Sequence, residues 1–395
     1  MKQSYNRTFA ACCIACVCQA VVVNLAPLLF VILQKEFNIS VGKIGFLITY
    51  NFLIQLTVDL LASRFADRIG YRKCVIAAHI LSFVGLVGLG QFPYWFSDSY
   101  VGLLLATTVY AVAGGLIEVL ISPIVEALPM KNKSAAMSLS HGCYAWGYAV
   151  VVILSTVYLK FAGMANWRLL TVLWSVVPLA NIFLFAGAPI LSLPTKQETE
   201  KSGSVFHNKG IWLFALLILC GGAAEQAIGQ WASYFAETGL KVNKATGDLL
   251  GPCLFAALMG VSRVGYGFFG HKMSLKKILL ICGVLCTASY LLTVFAPLPI
   301  LSLAGCAFSG LFVGIMWPGM LSVSAKAFPR GGTAMFALLA VAGDIGCALG
   351  PSVVSGVSGL FSNQIKSGLL AATVFPVLFA IGLWYIKRKK SATIK

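Results

Sequence analysis

Twelve apolar runs, each about as long as a helix must be to cross a bilayer, divide this chain from one end to the other. A spanning helix needs about 20 residues at a rise of about 1.5 Å each. On that ruler the runs fall at roughly 8–33, 42–65, 74–92, 100–128, 135–159, 167–188, 211–236, 247–270, 278–296, 299–325, 332–360 and 367–387. Lipid offers no partner to a backbone N–H or C=O, so a run of this length satisfies its own backbone by forming a helix. The chain therefore predicts an all-α membrane protein with twelve transmembrane helices. Composition agrees: 10% of the residues are charged, against about 25% in soluble domains. The first run is too long for the apolar core of a signal peptide and lacks a small-x-small cleavage site, so it is expected to remain as a span.

One hydrophilic stretch of any length interrupts the pattern, LSLPTKQETEKSGSVFHNKG at 191–210, between the sixth and seventh runs. The expected layout is a six-helix bundle at 1–190, a cytoplasmic linker at 191–210 and a second six-helix bundle at 211–395. The net charge of +17 does not form a nucleic-acid face, because Lys and Arg sit in short clusters between apolar runs. Most of the 29 basic residues fall on one side if both termini are inside, in clusters at 64–73, 131–133, 196–209, 272–277 and 387–390. The other side keeps a minority, Lys35, Lys160, Arg168 and Lys244 among them. The positive-inside rule then gives N-in, C-in. The halves also echo one another, with SPIVEALPMKNKSAAM (122–137) and WPGMLSVSAKAFPRGGTAM (317–335) sharing Pro and Ala-Met landmarks half a chain apart. Such a repeat is what duplicated transporter folds carry.

Twelve cysteines lie almost entirely inside apolar runs, densest at CCIACVC (Cys12, Cys13, Cys16, Cys18). Cys12 and Cys16 share a helix face, which allows a soft-metal site, but cysteine also serves as a small apolar membrane residue. The latter is preferred, and no metal or other cofactor is expected. No zinc spacing and no Walker loop occurs in the sequence, so ATP is not the expected energy source, and no catalytic grouping marks an enzyme.

Between the second and third runs the chain reads SRFADRIGYRK, 63–73. Asp67-Arg68, Gly70 and Arg72-Lys73 resemble the loop signature of the major facilitator superfamily, G-x-x-x-D-R-x-G-R-R/K, with Ser63 and Tyr71 as departures. GFFGHKMSLKK at 267–277 is a degenerate second copy. The resemblance implies two six-helix halves, alternating access, and a central cavity lined by spans one, four, seven and ten. On physical grounds Gly70 permits a tight turn, and Arg68 and Arg72 can reach Glu126 at the end of a neighbouring span. Asp67 can cap a helix N-terminus across the halves. These residues, with Asp59 two turns upstream, are the expected gating latch.

Ionisable groups within spans mark ion and substrate pathways by default, because a charge at the bilayer centre costs ~2.5–3.5 kcal/mol on insertion scales. Glu118 lies in GGLIEVLISP on the fourth run and Glu225 in GGAAEQAIGQWASY on the seventh. The first stretch resembles the fourth span of fucose-permease-like sugar–proton symporters, G-x-x-E-x-x-x-N-P, with Ser122 in place of Asn. The acidic residue that those symporters carry on their first span is absent; Gln19, Asn24 and Pro27 occupy that region. The resemblance implies a glutamate in substrate binding and proton coupling, and Glu118 and Glu225 are the expected proton-coupling pair. Gly221, Gly222 and Gly229 are expected to weaken the seventh helix near a site. The expected substrate-binding set is Asn24, Glu118, His141, Tyr144, Glu225, Gln226, Gln230, Trp231 and Trp317. Amides, a carboxylate and a flat indole suit a sugar ring, although Trp231 also fits an interfacial belt. Asp344 and Arg263 are expected to pair across spans eight and eleven as a structural bridge.

The expected activity is secondary active import of a small polar solute, a sugar, coupled to protons, by a monomer in the cell membrane. Its partners are the solute, protons and the bilayer, with no nucleic acid. The alternative is a proton-driven exporter of drugs or metabolites. Such exporters carry a Gly-Pro motif on the fifth span, where this chain has HGCYAWGYAVVV, and its own Gly350-Pro351 falls on the eleventh.

Overall fold

A computed structural model describes residues 5–130, 133–191, 209–269, 274–328 and 332–392. Every regular element among them is helical, and twelve helical segments are long and apolar enough to cross a membrane. They are α1 (Tyr5–Phe37), α2 (Val41–Ala62), α3 (Tyr71–Tyr94), α4 (Ser99–Ala127), α5 (Gly142–Ala162), α6 (Met164–Ala186), α7 (Gly210–Gly239), α8 (Lys244–Tyr266), α9 (Leu275–Phe295), α10 (Pro299–Ala327), α11 (Met335–Leu360) and α12 (Ile365–Arg388). The chain divides into two compact units, Met1–Thr195 and Lys196–Lys395, with α1–α6 in the first and α7–α12 in the second. Most of the hydrophilic linker, 192–208, lies outside the described residues.

Inside each unit the helices choose the same neighbours. In the first, α1 packs on α4, α5 and α6, α3 on α4 and α6, and α2 on α4. In the second, α7 packs on α10, α11 and α12, α9 on α10 and α12, and α8 on α10. Adding six to each label of the first set yields the second. The repeat hinted at by two short sequence echoes is therefore a repeat of packing partners.

Local sequence explains the joints. The helix of α2 runs on to Ile69 and stops at Gly70, whose φ of 96° is a conformation that a side chain would disfavour. Its N–H bonds Ala66 O, its own C=O takes the N–H of Cys74, and α3 starts at once. At one end of the first unit, two arginines close the C-terminus of α6. Arg7 donates to the carbonyls of Phe183 and Leu184, and Arg72 to those of Phe185, Ala186 and Ala188. These are carbonyls that a helix end leaves unbonded, and a cation there also meets the negative end of the helix dipole. At the far end of α1, Glu36 accepts from the Tyr94 hydroxyl and from Trp167 Nε1 at 2.6 Å, tying α1, α3 and α6 together.

The second unit has a seam of glycines. A Cβ on Gly346 would lie 2.1 Å from Leu219 O, and one on Gly350 2.2 Å from Ala223 O. Only bare backbone lets α7 and α11 come this close, as in small-residue seams between membrane helices. Gly222 joins the same seam, since its Cβ would stand 2.7 Å from Gly343 O. This corrects the expectation that Gly221, Gly222 and Gly229 weaken the seventh helix. The α-helix there is continuous from Lys209 to Tyr234, with Gly222 against the backbone of α11 and Gly221 against Met316 of α10. Irregular backbone falls elsewhere, in a π turn at Phe235–Gly239, another at Leu249–Cys253, and a break in α10 between Val313 and Met316.

Candidate functional site

In the first unit, α2 presents Asn51, Gln55 and Asp59 at intervals of four, so the three share one helix face. Gln55 is buried beside Gln19 of α1, and the Gln19 amide nitrogen donates to Gln55 Oε1 at 3.3 Å. The same nitrogen faces Glu118 Oε2 at 3.5 Å, the edge of hydrogen-bonding range. The carboxylates of Asp59 and Glu118 approach within 4.8 Å. Three helices thus bring two acids and two amides to one place. One turn away, Asn24 Nδ2 donates to Ala20 O at 3.0 Å and to the Tyr144 hydroxyl at 3.4 Å, linking α1 to α5.

Asp59 therefore belongs beside Glu118, whereas the sequence placed it in the gating latch. Gln55 was missed altogether. The signal was available as three polar residues at a spacing of four in an apolar run, a pattern that a lipid-facing helix would not keep.

The second unit centres on Glu225 of α7, which is buried and bonded to Arg263 of α8 at 3.2 Å. Arg263 Nε also donates to Gly314 O at 3.1 Å. That carbonyl lies at the break in α10, where the regular ladder leaves backbone oxygens to other donors. The expected Arg263–Asp344 pair is corrected: Arg263 takes Glu225 instead, because α8 packs against α7 and α10 and α11 packs against α7. Asp344 is half-buried on α11.

Further along α7, Gln230 Nε2 donates to Gln226 Oε1 at 3.0 Å, with both side chains buried. Trp231 is fully buried, donates Nε1–H to Pro351 O at 3.2 Å, and meets Tyr234 edge-on. It is an interior residue of the α7–α11 contact, which corrects its reading as a belt residue. Trp317 of α10 is half-buried, and a Cβ on Gly343 would stand 2.9 Å from its ring.

A second ionic group lies where α7 and α8 meet their π turns. Lys244 Nζ bonds Asp248 Oδ2 at 2.9 Å and Ser233 Oγ at 3.1 Å, with Glu237 at 3.8 Å. Lys244 was expected as a loop charge; it is buried because Asp248 and Ser233 replace its water.

The expected latch is only partly placed. Arg68 and Glu126 are both exposed. Arg72 points at the carbonyls of α6, which corrects its assignment as a partner for Glu126: six-helix packing sets a helix terminus within its reach. The side chains of Asp67 and His141 lie outside the described ones.

A helical protein of twelve spans, with acids and amides gathered inside each six-helix unit, falls in the class of secondary transporters. The family follows from the sequence, which matches the Major Facilitator Superfamily model over residues 11–266 and 249–394. The chain belongs to that superfamily, a family of transporters and not of enzymes, and it is a multi-pass protein of the cell membrane. No curated protein matches its sequence significantly. Among solved structures it is similar to a D-xylose–proton symporter, at 13% identity and a TM-score of 0.80, covering 96% of this chain and 97% of that one. It is also similar to the fucose–proton symporter of E. coli, at 16% identity and a TM-score of 0.67, covering 97% and 99%. At such identities the likeness speaks for the fold.

Proposed function

We propose that this transporter imports a small polar solute, a sugar, together with protons. The two six-helix bundles at 1–190 and 211–395 alternate the access of the site, and both termini and the 191–210 linker face the cytoplasm. The observation that carries the reading is the cluster of Glu118, Asp59, Gln19 and Gln55, built from α1, α2 and α4. Ionisable groups within spans mark ion pathways by default, so an acid here suits proton uptake and release. The amides beside it suit hydroxyl groups.

Glu118 and Glu225 carry the proton coupling in this reading. Asn24, His141, Tyr144, Gln226, Gln230 and Trp317 join them in holding the substrate, while Trp231, sealed in the α7–α11 contact, does not. Asp67, Arg68 and Glu126 set the conformational balance. The two similar structures are both of sugar–proton symporters, which supports the reading.

The test uses the purified protein in liposomes loaded with a pH-sensitive dye. Adding a transported sugar outside, with no imposed gradient, is expected to acidify the lumen as sugar enters. Uptake of radiolabelled sugar with no change in lumenal pH would exclude proton coupling.

A further inference from the structure

Ten of the twelve cysteines are buried, and the two that are not, Cys13 of α1 and Cys143 of α5, meet each other. A hydrogen bond joins their thiols across the contact between the two helices. Service as small apolar residues accounts for the buried ten. It does not account for a half-buried pair placed sulfur to sulfur.

One seam brings the pair together. Cys13, Val17, Ala20 and Asn24 recur at steps of three and four, so they share a face of α1. That face meets α5. A Cβ on Gly147 would stand 3.2 Å from Val17 Cα and 3.4 Å from Ala20 Cβ, so bare backbone allows the approach. Cys13 and Cys143 lie one turn before Val17 and Gly147, in the same register. A disulfide needs close Cα atoms and side chains that point at one another. The Gly147 seam favours the first, and the thiol hydrogen bond meets the second. Cys16, the nearest competitor on α1, is buried in the apolar cluster against which Cys143 packs.

We propose that Cys13 and Cys143 are a site of reversible oxidation by hydrogen peroxide, and that their disulfide clasps α5 to α1. One thiolate attacks the O–O bond, becomes a sulfenic acid and releases the first water once hydroxide gains a proton. The second thiol then displaces the sulfenic hydroxyl as another water, and the S–S bond forms. Two electrons leave the sulfurs and reduce one peroxide; exchange with a reducing thiol reopens the pair. In the proposed N-in orientation both thiols lie toward the cytoplasmic ends of their helices, where the pair stays reduced until an oxidant arrives. The clasp shares its face of α1 with Asn24, whose amide reaches the hydroxyl of Tyr144, the residue after Cys143. Closing the sulfurs to bonding distance shifts that contact, so oxidation slows transport. This last consequence rests on the reading of Asn24 and Tyr144 as substrate residues.

Purified full-length protein in liposomes is treated with hydrogen peroxide, remaining thiols are blocked with N-ethylmaleimide, and non-reduced peptides are mapped by mass spectrometry. The expected product is one cross-link, Cys13 to Cys143, lost after dithiothreitol. It is expected to raise the detergent melting temperature, since it closes a long loop of the unfolded chain. Cys13→Ser and Cys143→Ser are each expected to remove both effects. Recovery of both cysteines as maleimide adducts after peroxide would overturn the site, and so would a cross-link to Cys16 instead. These arms need no substrate. With a transported sugar, oxidised wild type is expected to lose most of its initial uptake rate, and Cys13→Ser to be insensitive to peroxide. Cross-linked protein that transports at the unoxidised rate would overturn the clasp as a control and leave the sugar reading standing. Absence of sugar uptake before oxidation would count against the sugar reading alone.

Discussion

At the scale of single residues, the second unit gives the plainest energetic statement. Glu225 and Arg263 are paired below the surface, and Arg263 also holds a carbonyl at the break in α10. Removing one member of a buried pair leaves the other charge uncompensated, at a cost of about 3–5 kcal/mol, whereas replacing both by apolar residues is often near neutral. Glu225→Ala and Arg263→Leu are therefore each expected to lower the detergent melting temperature sharply. A Glu225→Leu/Arg263→Leu double variant is expected to recover most of it. Additive losses in that cycle would mean that the pair does not act as a unit. The sequence made Glu225 legible, since an acid in an apolar run stands out by itself. Its partner was not legible, because a partner depends on which helices touch. Arg263 was given to Asp344 on the assumption that α8 and α11 are neighbours. Gln55 shows the reverse: its signal lay in the spacing of four, but an amide in a membrane helix draws less notice than a carboxylate.

At the scale of elements, helix ends and seams account for what pattern reading left out. Span positions were readable to within a few residues for most elements, because length and apolarity set them. The turn at Gly70 was readable too, from a residue type that permits a positive φ. The glycines of α7 were read as weak points, but Gly222 is a close-contact point against Gly343 of α11, and Gly346 and Gly350 of α11 press on the α7 backbone at Leu219 and Ala223. The two roles look alike in a sequence and differ only in what lies opposite. Arg72 is a similar case. Its bonds to Phe185, Ala186 and Ala188 identify it as a cap of α6, where the motif alone could not separate a cap from a gate. Arg72→Ala is expected to destabilise the first unit by ~1–2 kcal/mol, and Arg72→Lys to restore only part of that, since an ammonium lacks the fork that reaches three carbonyls. Hydrogen exchange of the amides near the end of α6, measured by mass spectrometry, is the direct check: faster exchange in Arg72→Ala is expected, and unchanged protection would refute the cap.

At the scale of the whole molecule, two units built on one packing scheme explain how 395 residues yield twelve spans from a repeated plan. The asymmetry of Lys and Arg predicts the orientation. Tags at either terminus or within 191–210 are expected to react only after the membrane is opened, and labelling of any of the three from outside would reverse the topology. The central claim is that Glu118 carries the proton that drives uptake. The membrane potential provides ~2.3 kcal/mol per charge per 100 mV, enough for one proton to sustain substantial accumulation. A glutamine at 118 imitates the protonated acid: the loaded site still forms and still cycles, but nothing binds or releases a proton. The decisive measurement is transport by Glu118→Gln in liposomes, as uphill uptake under an inward proton gradient and as exchange of labelled for unlabelled sugar at equal concentrations. The expected result is loss of uphill uptake with exchange retained near the wild-type rate; accumulation equal to wild type would contradict the account.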